Sequence, residues 1–237
     1  MKRKHYLLVS ILFLFVSCAQ INHSSTDTKQ LDLSAFKISV PKSWTFDNPG
    51  EQEDSFIGRI LGPGVMLSFD CSSHGYANSL IESEKQYLNL IRYQLIIHPE
   101  SRPDTGAESN NKLTDDIANG KTKQSQGIDT TVQIDKIDLS RMSQFPKADY
   151  IARLKISEKI NYVPITIPAL IKSHHILIDT NGDYITKTIW PKVPGKGMTG
   201  VYIHSRTSAF NFQMNANNLS LANQEQALSA FKTIKFK

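Results

Sequence analysis

Asn181-Gly182 sits between two runs of strand character, His174 to Asp179 and Tyr184 to Trp190. Asn-Gly is the pair that best tolerates the positive φ angles of a two-residue type I′ turn, so the two runs are tied into an antiparallel hairpin. Other segments repeat the theme. Phe36-Lys37-Ile38-Ser39-Val40 alternates strictly and places Phe36, Ile38 and Val40 on one face of a strand, which Pro41 ends because it cannot donate to a ladder. Trp44 and Phe46 are expected to fold back over the end of the sheet. Asp54 to Ile60 and Gly64 to Asp70 read as strands around a Leu61-Gly62-Pro63-Gly64 turn.

Further along, Val132 and Ile134 alternate, as do Tyr150, Ala152, Leu154 and Ile156. Tyr162 to Ile167 is interrupted by Pro164 and closed by Pro168, so it reads as an edge strand or an irregular connection. Val201 to Arg206 and Ala209 to Met214 make another strand pair. Two stretches carry a helical period. Asn78 to Gln94 aligns Leu80, Tyr87, Leu88, Ile91 and Leu95, with Asn78 or Ser79 as N-cap, although Leu95-Ile96-Ile97 could equally open a strand. Leu221 to Phe231 aligns Ala227, Leu228 and Phe231, and Ile234 and Phe236 follow as a short strand. No βαβ alternation appears. The class is therefore α+β, with a mostly antiparallel sheet and few segregated helices.

The amino end is of another kind. Lys2, Arg3 and Lys4 precede an 11-residue run, Tyr6 to Val16, broken only by Ser10. That is too short to span a bilayer as a helix and has the length of a secretory leader. It ends in Phe15-Val16-Ser17-Cys18, which resembles a bacterial lipobox, with Phe15 where such motifs usually carry leucine. The resemblance implies cleavage before Cys18 and attachment of diacylglycerol to its sulfur. Residues 18–33 are polar and read as a flexible tether, followed by a single domain from 34 to 237. His98 to Gly127 contains no aromatic and only Ala107, Leu113, Ile117 and Ala118 as apolar side chains, so it reads as an extended polar surface loop.

Charge then excludes one class of partner. Three of the 27 Lys and Arg residues belong to the leader, leaving 24 against 22 Asp and Glu. No basic stripe of the kind that nucleic acid requires is present. Only two cysteines occur, and lipidation of Cys18 leaves Cys71 without a disulfide partner.

Phe36 to Trp44, FKISVPKSW, is similar to the opening strand of the Mog1/PsbP-like superfamily, and Glu225 to Phe236, EQALSAFKTIKF, is similar to its closing helix and strand. DSFIGRI (54–60) and PKVPGKGMTGVY (191–202) resemble uncharacterised lipoproteins of Bacteroidetes-type bacteria. The resemblance implies a binding or assembly role and brings no catalytic residues. Gly127 to His174 has no counterpart in the pattern.

Four constellations could carry chemistry. Gly195 to Gly200 satisfies G-x-G-x-x-G, but prolines precede it and a strand follows, where a dinucleotide site needs a helix. Asp179 to Asp183 imitates the start of a calcium loop, yet its twelfth position is Trp190 and its flanks are strands. His174 and His175 point to opposite faces of one strand, so they cannot both ligate one metal in regular geometry. His204 could join one of them across the sheet, but three separated histidines without a carboxylate are weak evidence of a metal site. Cys71 and His74 are close enough for a thiolate–imidazole pair, but no third group orients the base.

The expectation is a lipid-anchored envelope protein, at the outer membrane and facing the periplasm. It would act as a non-catalytic binding or assembly factor for another envelope protein, with no cofactor or metal and no nucleic acid. Trp190, Lys192, Lys196 and Met198 are its candidate partner-binding residues, offering an aromatic anchor, an adaptable thioether and two charges. The alternative is a small thiol- or metal-dependent hydrolase using Cys71 and His74.

Overall fold

The computed structural model describes residues 27–48, 54–97 and 130–237. Cys18 with its leader, and the polar stretch 98–127, lie outside the described residues. Every strand pairing is antiparallel.

Three sheets are present among these residues. In the first, β2 (Phe36–Pro41) lies between β1 (Thr28–Asp32) and β13 (Lys235–Phe236). The second has seven strands: β3 (Thr45–Asp47), β4 (Ser55–Gly62), β5 (Val65–Ser72), β9 (His174–Asn181), β10 (Tyr184–Pro191), β11 (Met198–Ser205) and β12 (Asn211–Asn217). Its spatial order is β3-β4-β5-β12-β11-β10-β9. The third is β6 (Thr130–Lys136), β7 (Tyr150–Ile156) and β8 (Lys159–Ile165), in that order. Four helices are described: α1 (Glu84–Ile97), α2 (Leu139–Met142), α3 (Ala169–Lys172) and α4 (Leu221–Phe231). None is long and apolar enough to cross a membrane.

The alternation in β2 decides the main core. Phe36, Ile38 and Val40 are wholly buried against one face of the seven-stranded sheet, hereafter its inner face. Phe36 meets Phe212 edge-on at 4.9 Å and Phe69 at 5.1 Å between ring centres. Each such ring contributes about 1.5–3 kcal/mol through burial. α4 adds Ala227, Ala230 and Phe231 to the same cluster. Trp44 is buried over the end of β4, where Gly62 is obligatory: a Cβ there would stand 2.3 Å from the indole. A second cluster joins α1 to the small sheet through Ile91, Leu95, Ala152, Leu154 and Ile165. A third, with Ile81, Ile167, Ile171 and Ile189, fastens this unit to β10.

Two expectations need correction. The tether reading fails for residues 28–32, because β1 pairs with β2 and Asp32 bridges Lys37 at 3.0 Å and Lys237 at 2.6 Å. Main-chain pairing and ion pairs hold a strand whose side chains are mostly polar. The first helix starts at Glu84 rather than Asn78. Asn78 spends its carbonyl on the Leu80 N–H at 2.8 Å, closing a turn in which Leu80 takes φ 61°. The cap is Ser83, which accepts from Gln86 N–H at 3.2 Å while Gln86 Oε1 accepts from Ser83 N–H at 3.0 Å, a reciprocal capping box. Leu95 to Ile97 then continue the helix and start no strand. β8 is an edge strand, as Pro164 demands.

Candidate functional site

Alternation assigns the neighbouring side chains of each strand to opposite faces. On β5, Leu67, Phe69 and Cys71 enter the core, leaving Ser68, Asp70 and Ser72 on the outer face. On β12, Phe212, Met214 and Ala216 enter it, leaving Asn211, Gln213, Asn215 and Asn217 as a ladder of amides. β11 contributes Tyr202 and His204 to the outer face, and β10 contributes Lys187. Register places Asp70 opposite Gln213, Gln213 opposite Tyr202, and Tyr202 opposite Lys187, so four polar side chains form one row across four strands.

The segment between β5 and α1 lies over part of this face. Asn211 pins it, accepting the Ala77 N–H at 3.0 Å and donating to the Ala77 carbonyl at 3.2 Å. Glu82 comes within 3.6 Å of the Lys187 ammonium, which also stands 5.6 Å from the centre of the Tyr202 ring. Lys187 is only 4 % exposed. Burial lowers its pKa, and Glu82 offsets that in part. His204, 5.5 Å from the Tyr202 ring, has its pKa lowered first by burial and then by the charge of Lys187, which keeps the imidazole neutral at neutral pH. Two buried atoms of this face have no hydrogen-bond partner, Oδ1 of Asp70 and Nδ1 of His204. Below the Ser68–Asn215 pair β5 and β12 part, and a cavity of about 470 Å³ opens there, lined in part by Met66, Ser68, Asn215 and Asn217.

The residues singled out from sequence fall elsewhere. Trp190 is half-buried and stacks on the exposed His175 ring at 5.2 Å. Lys192 and Lys196 are exposed in the loop that follows. Met198 is separated from them: it packs on the outer-face side with the Ile189 cluster. Its N–H donates to Nε2 of His174 at 3.1 Å, and Nδ1–H of His174 reaches the Leu170 carbonyl at 2.7 Å. Both ring nitrogens of that buried histidine are thereby engaged, in one tautomer. The glycine run has the same structural explanation. Gly197 has φ 120° and a Cβ there would lie 2.7 Å from His174. The N–H groups of Gly195 and Gly197 donate to the Leu219 carbonyl and to Asn218 Oδ1, both at 2.9 Å, so they face no phosphate.

No protein-family model matches the chain, and no curated protein does.

Cys71 lies in the aromatic core, where burial first and Asp70 second push its thiol up to about 11. A thiolate is disfavoured there at neutral pH. His74 stands beyond the strand, hydrogen-bonded to Ser73 Oγ at 3.1 Å and stacked on Tyr76. Among the described residues no group of three His, Cys, Asp or Glu side chains could hold a metal ion. Sequence reasoning passed over Asp70, Gln213, Tyr202 and Lys187. The alternation of amides with Phe212, Met214 and Ala216 in NFQMNAN was the available signal.

Proposed function

We propose that the protein is a lipid-anchored factor of the cell envelope, on a Mog1/PsbP-like fold, that binds and positions an envelope protein without catalysing a reaction. The two stretches that resemble the superfamily, β2 with Trp44 and α4 with β13, contribute to a single core, which is consistent with that fold. The stretch that resembles a lipobox, ending in Cys18, supports a lipid anchor, and Ala19 after it, where inner-membrane retention favours aspartate, supports the outer membrane with the domain facing the periplasm.

One observation carries the binding reading. β9 and β10 run past the region that β2 and α4 cover, and only the half-buried Tyr184 of these two strands joins the inner-face core. On this uncovered shelf Leu177 is 56 % exposed beside the Trp190–His175 stack, and Val193 is 55 % exposed between Lys192 and the rest of its loop. An aromatic anchor with aliphatic neighbours and a charged rim is the composition interfaces favour. Among the described residues β9 is also the last strand of its sheet, an edge able to accept a partner's strand. The raised pKa and burial of Cys71 favour this reading over the thiol hydrolase.

Lys192→Glu with Lys196→Glu should weaken capture of an envelope protein that the wild-type chain retains, with the circular-dichroism spectrum unchanged. Equal capture by the folded double variant would overturn the assignment of the surface. Cys18→Ser should abolish lipid labelling; persistent labelling would overturn the anchor.

A further inference from the structure

We propose that the strand received by the β9 edge is the β9 of a second copy of this chain. The two strands pair antiparallel about a two-fold axis through Leu177 and join their sheets into one. The Trp190–His175 shelf is then doubled in width and left to an envelope partner, on which the pairing does not depend. Sheet edges are commonly made unfit for pairing by shortness, lysine, proline or a bulge. At the far edge of the same sheet β3 is three residues long, and the edge strand β8 carries Lys159 and Pro164. β9 has none of these devices. It runs eight residues, HHILIDTN, in unbroken register with β10, and exposes Leu177 on one face and Ile178 on the other.

The main chain fixes which groups this edge offers. The hairpin closes on Asn181 opposite Tyr184, and the Ser173 carbonyl accepts from the Lys192 N–H at 2.9 Å. Odd-numbered residues therefore bond to β10, and Ile176, Ile178 and Thr180 turn their N–H and C=O outward. The Thr180 N–H accordingly bonds to the carboxylate of Asp179 beside it, at 2.8 Å.

These directions select the register. Outward groups of two β9 strands meet only if even-numbered residues stand opposite even-numbered ones, so a two-fold axis passes through a residue and not between two. With the axis at Leu177, that side chain meets its own copy on the inner face, and Asp179 stands opposite His175 of the second copy. On the outer face Ile176 stands opposite Ile178. A carboxylate facing an imidazole N–H, and aliphatic facing aliphatic, are pairings that stabilise a ladder. Moving the axis to Ile178 would set Asp179 against Leu177 and Ile176 against Thr180. In the Leu177 register the Thr180 N–H passes to the main chain of the second copy, which releases the Asp179 carboxylate for that imidazole. The contact is the same patch on both chains, so it closes at a dimer.

Light scattering after size exclusion, on the full-length chain in nonionic detergent, tests this. A dimer is expected, and monomer alone at chain concentrations up to about 100 µM overturns the proposal. Leu177→Lys, at an exposed position, places two ammonium groups at the axis and should raise the dissociation constant about tenfold or more. A dimer that it leaves intact is held elsewhere, which also overturns the proposal. His175→Asp sets carboxylates opposite each other on both sides of the axis and should weaken the dimer several-fold. Asp179→His added to the same chain should recover most of that loss, and no recovery overturns the register. In a Cys18→Ser chain, Leu177→Cys should give a disulfide-linked dimer on mild oxidation, because such cross-strand neighbours stand about 4.5 Å apart. Linkage through Ile178→Cys instead would overturn the axis. Capture of an envelope protein reads the shelf separately, so failure of the dimer and failure of the shelf are distinguishable.

Discussion

The two faces of the seven-stranded sheet are made by the same strands and differ by one residue step. Phe69 and Asp70, or Phe212 and Gln213, are chain neighbours, yet the first of each pair is sealed among aromatic rings and the second faces a polar groove. The inner face is governed by volume: Phe36, Phe69 and Phe212 interlock, and β2 with α4 closes over them. The outer face is governed by hydrogen bonding, and its account is left open at Asp70 and His204. A slip of one residue in register would exchange the two sets, so the inner face fixes where the polar row stands.

The sharpest way to break this comparison is a matched pair of truncations. Phe212→Ala should cost about 3–5 kcal/mol, as large-to-small changes in packed cores do. Gln213→Ala, on the next residue, should change stability by no more than about 0.5 kcal/mol. Urea denaturation measures both, and similar losses would show that the outer face is structural after all.

A smaller loss is expected from Gly62→Ala. Its Cβ would meet the buried Trp44 indole at 2.3 Å, and overpacking of this kind costs roughly 1–3 kcal/mol. Unchanged stability would mean that Trp44 can leave the core freely.

The least effect should come from Lys187→Met. Burial disfavours the Lys187 charge more than Glu82 favours it, and Glu82, with 29 % of its side chain exposed, can be solvated once alone. Exchange for an apolar chain of similar length should therefore change stability by no more than about 1 kcal/mol at neutral pH, where stranding a fully buried partner would cost several. The pH dependence is the sharper readout. The folded-state pKa of Lys187 lies below its unfolded value of 10.5. Between the two, the unfolded chain holds more protons, so this group makes stability rise as pH climbs toward the unfolded value. Lys187→Met should flatten that rise in denaturation curves taken from neutral to alkaline pH. An unaltered slope would place the ammonium in solvent.

Local pattern sufficed where both backbone and burial agreed. Phe36, Ile38 and Val40 alternate and are buried together, and Ala227 and Phe231 enter the core from one helix. The β9–β10 hairpin forms, but its two-residue turn is Gly182-Asp183 and not Asn181-Gly182: Asn181 ends β9 opposite Tyr184, and positive φ falls on Gly182 (58°) alone. β1 escaped notice because TKQLD offers a single aliphatic residue, and its place is set by pairing with β2. The start of α1 was missed because Asn78 and Ser83 are both good caps, and only the Gln86 partner distinguishes them. The polar row was missed for a different reason. Lys187 reads as a solvated lysine on a strand until Glu82, from the segment before α1, is brought over it by the Ala77–Asn211 clasp. Pairings between distant segments leave no local period.

β2 lies between strands drawn from opposite ends of the described chain, and this has a consequence for the order of events in folding. The Ser39 N–H donates to Thr233 Oγ1, 194 residues later, and Phe36 stands opposite Phe236. Loop closure over such separations is slow and comes late. Until α4 and β13 have been synthesised, Phe36, Ile38 and Val40 lack part of the surface that buries them. A nascent chain therefore stays open along its first sheet until its last residues are made.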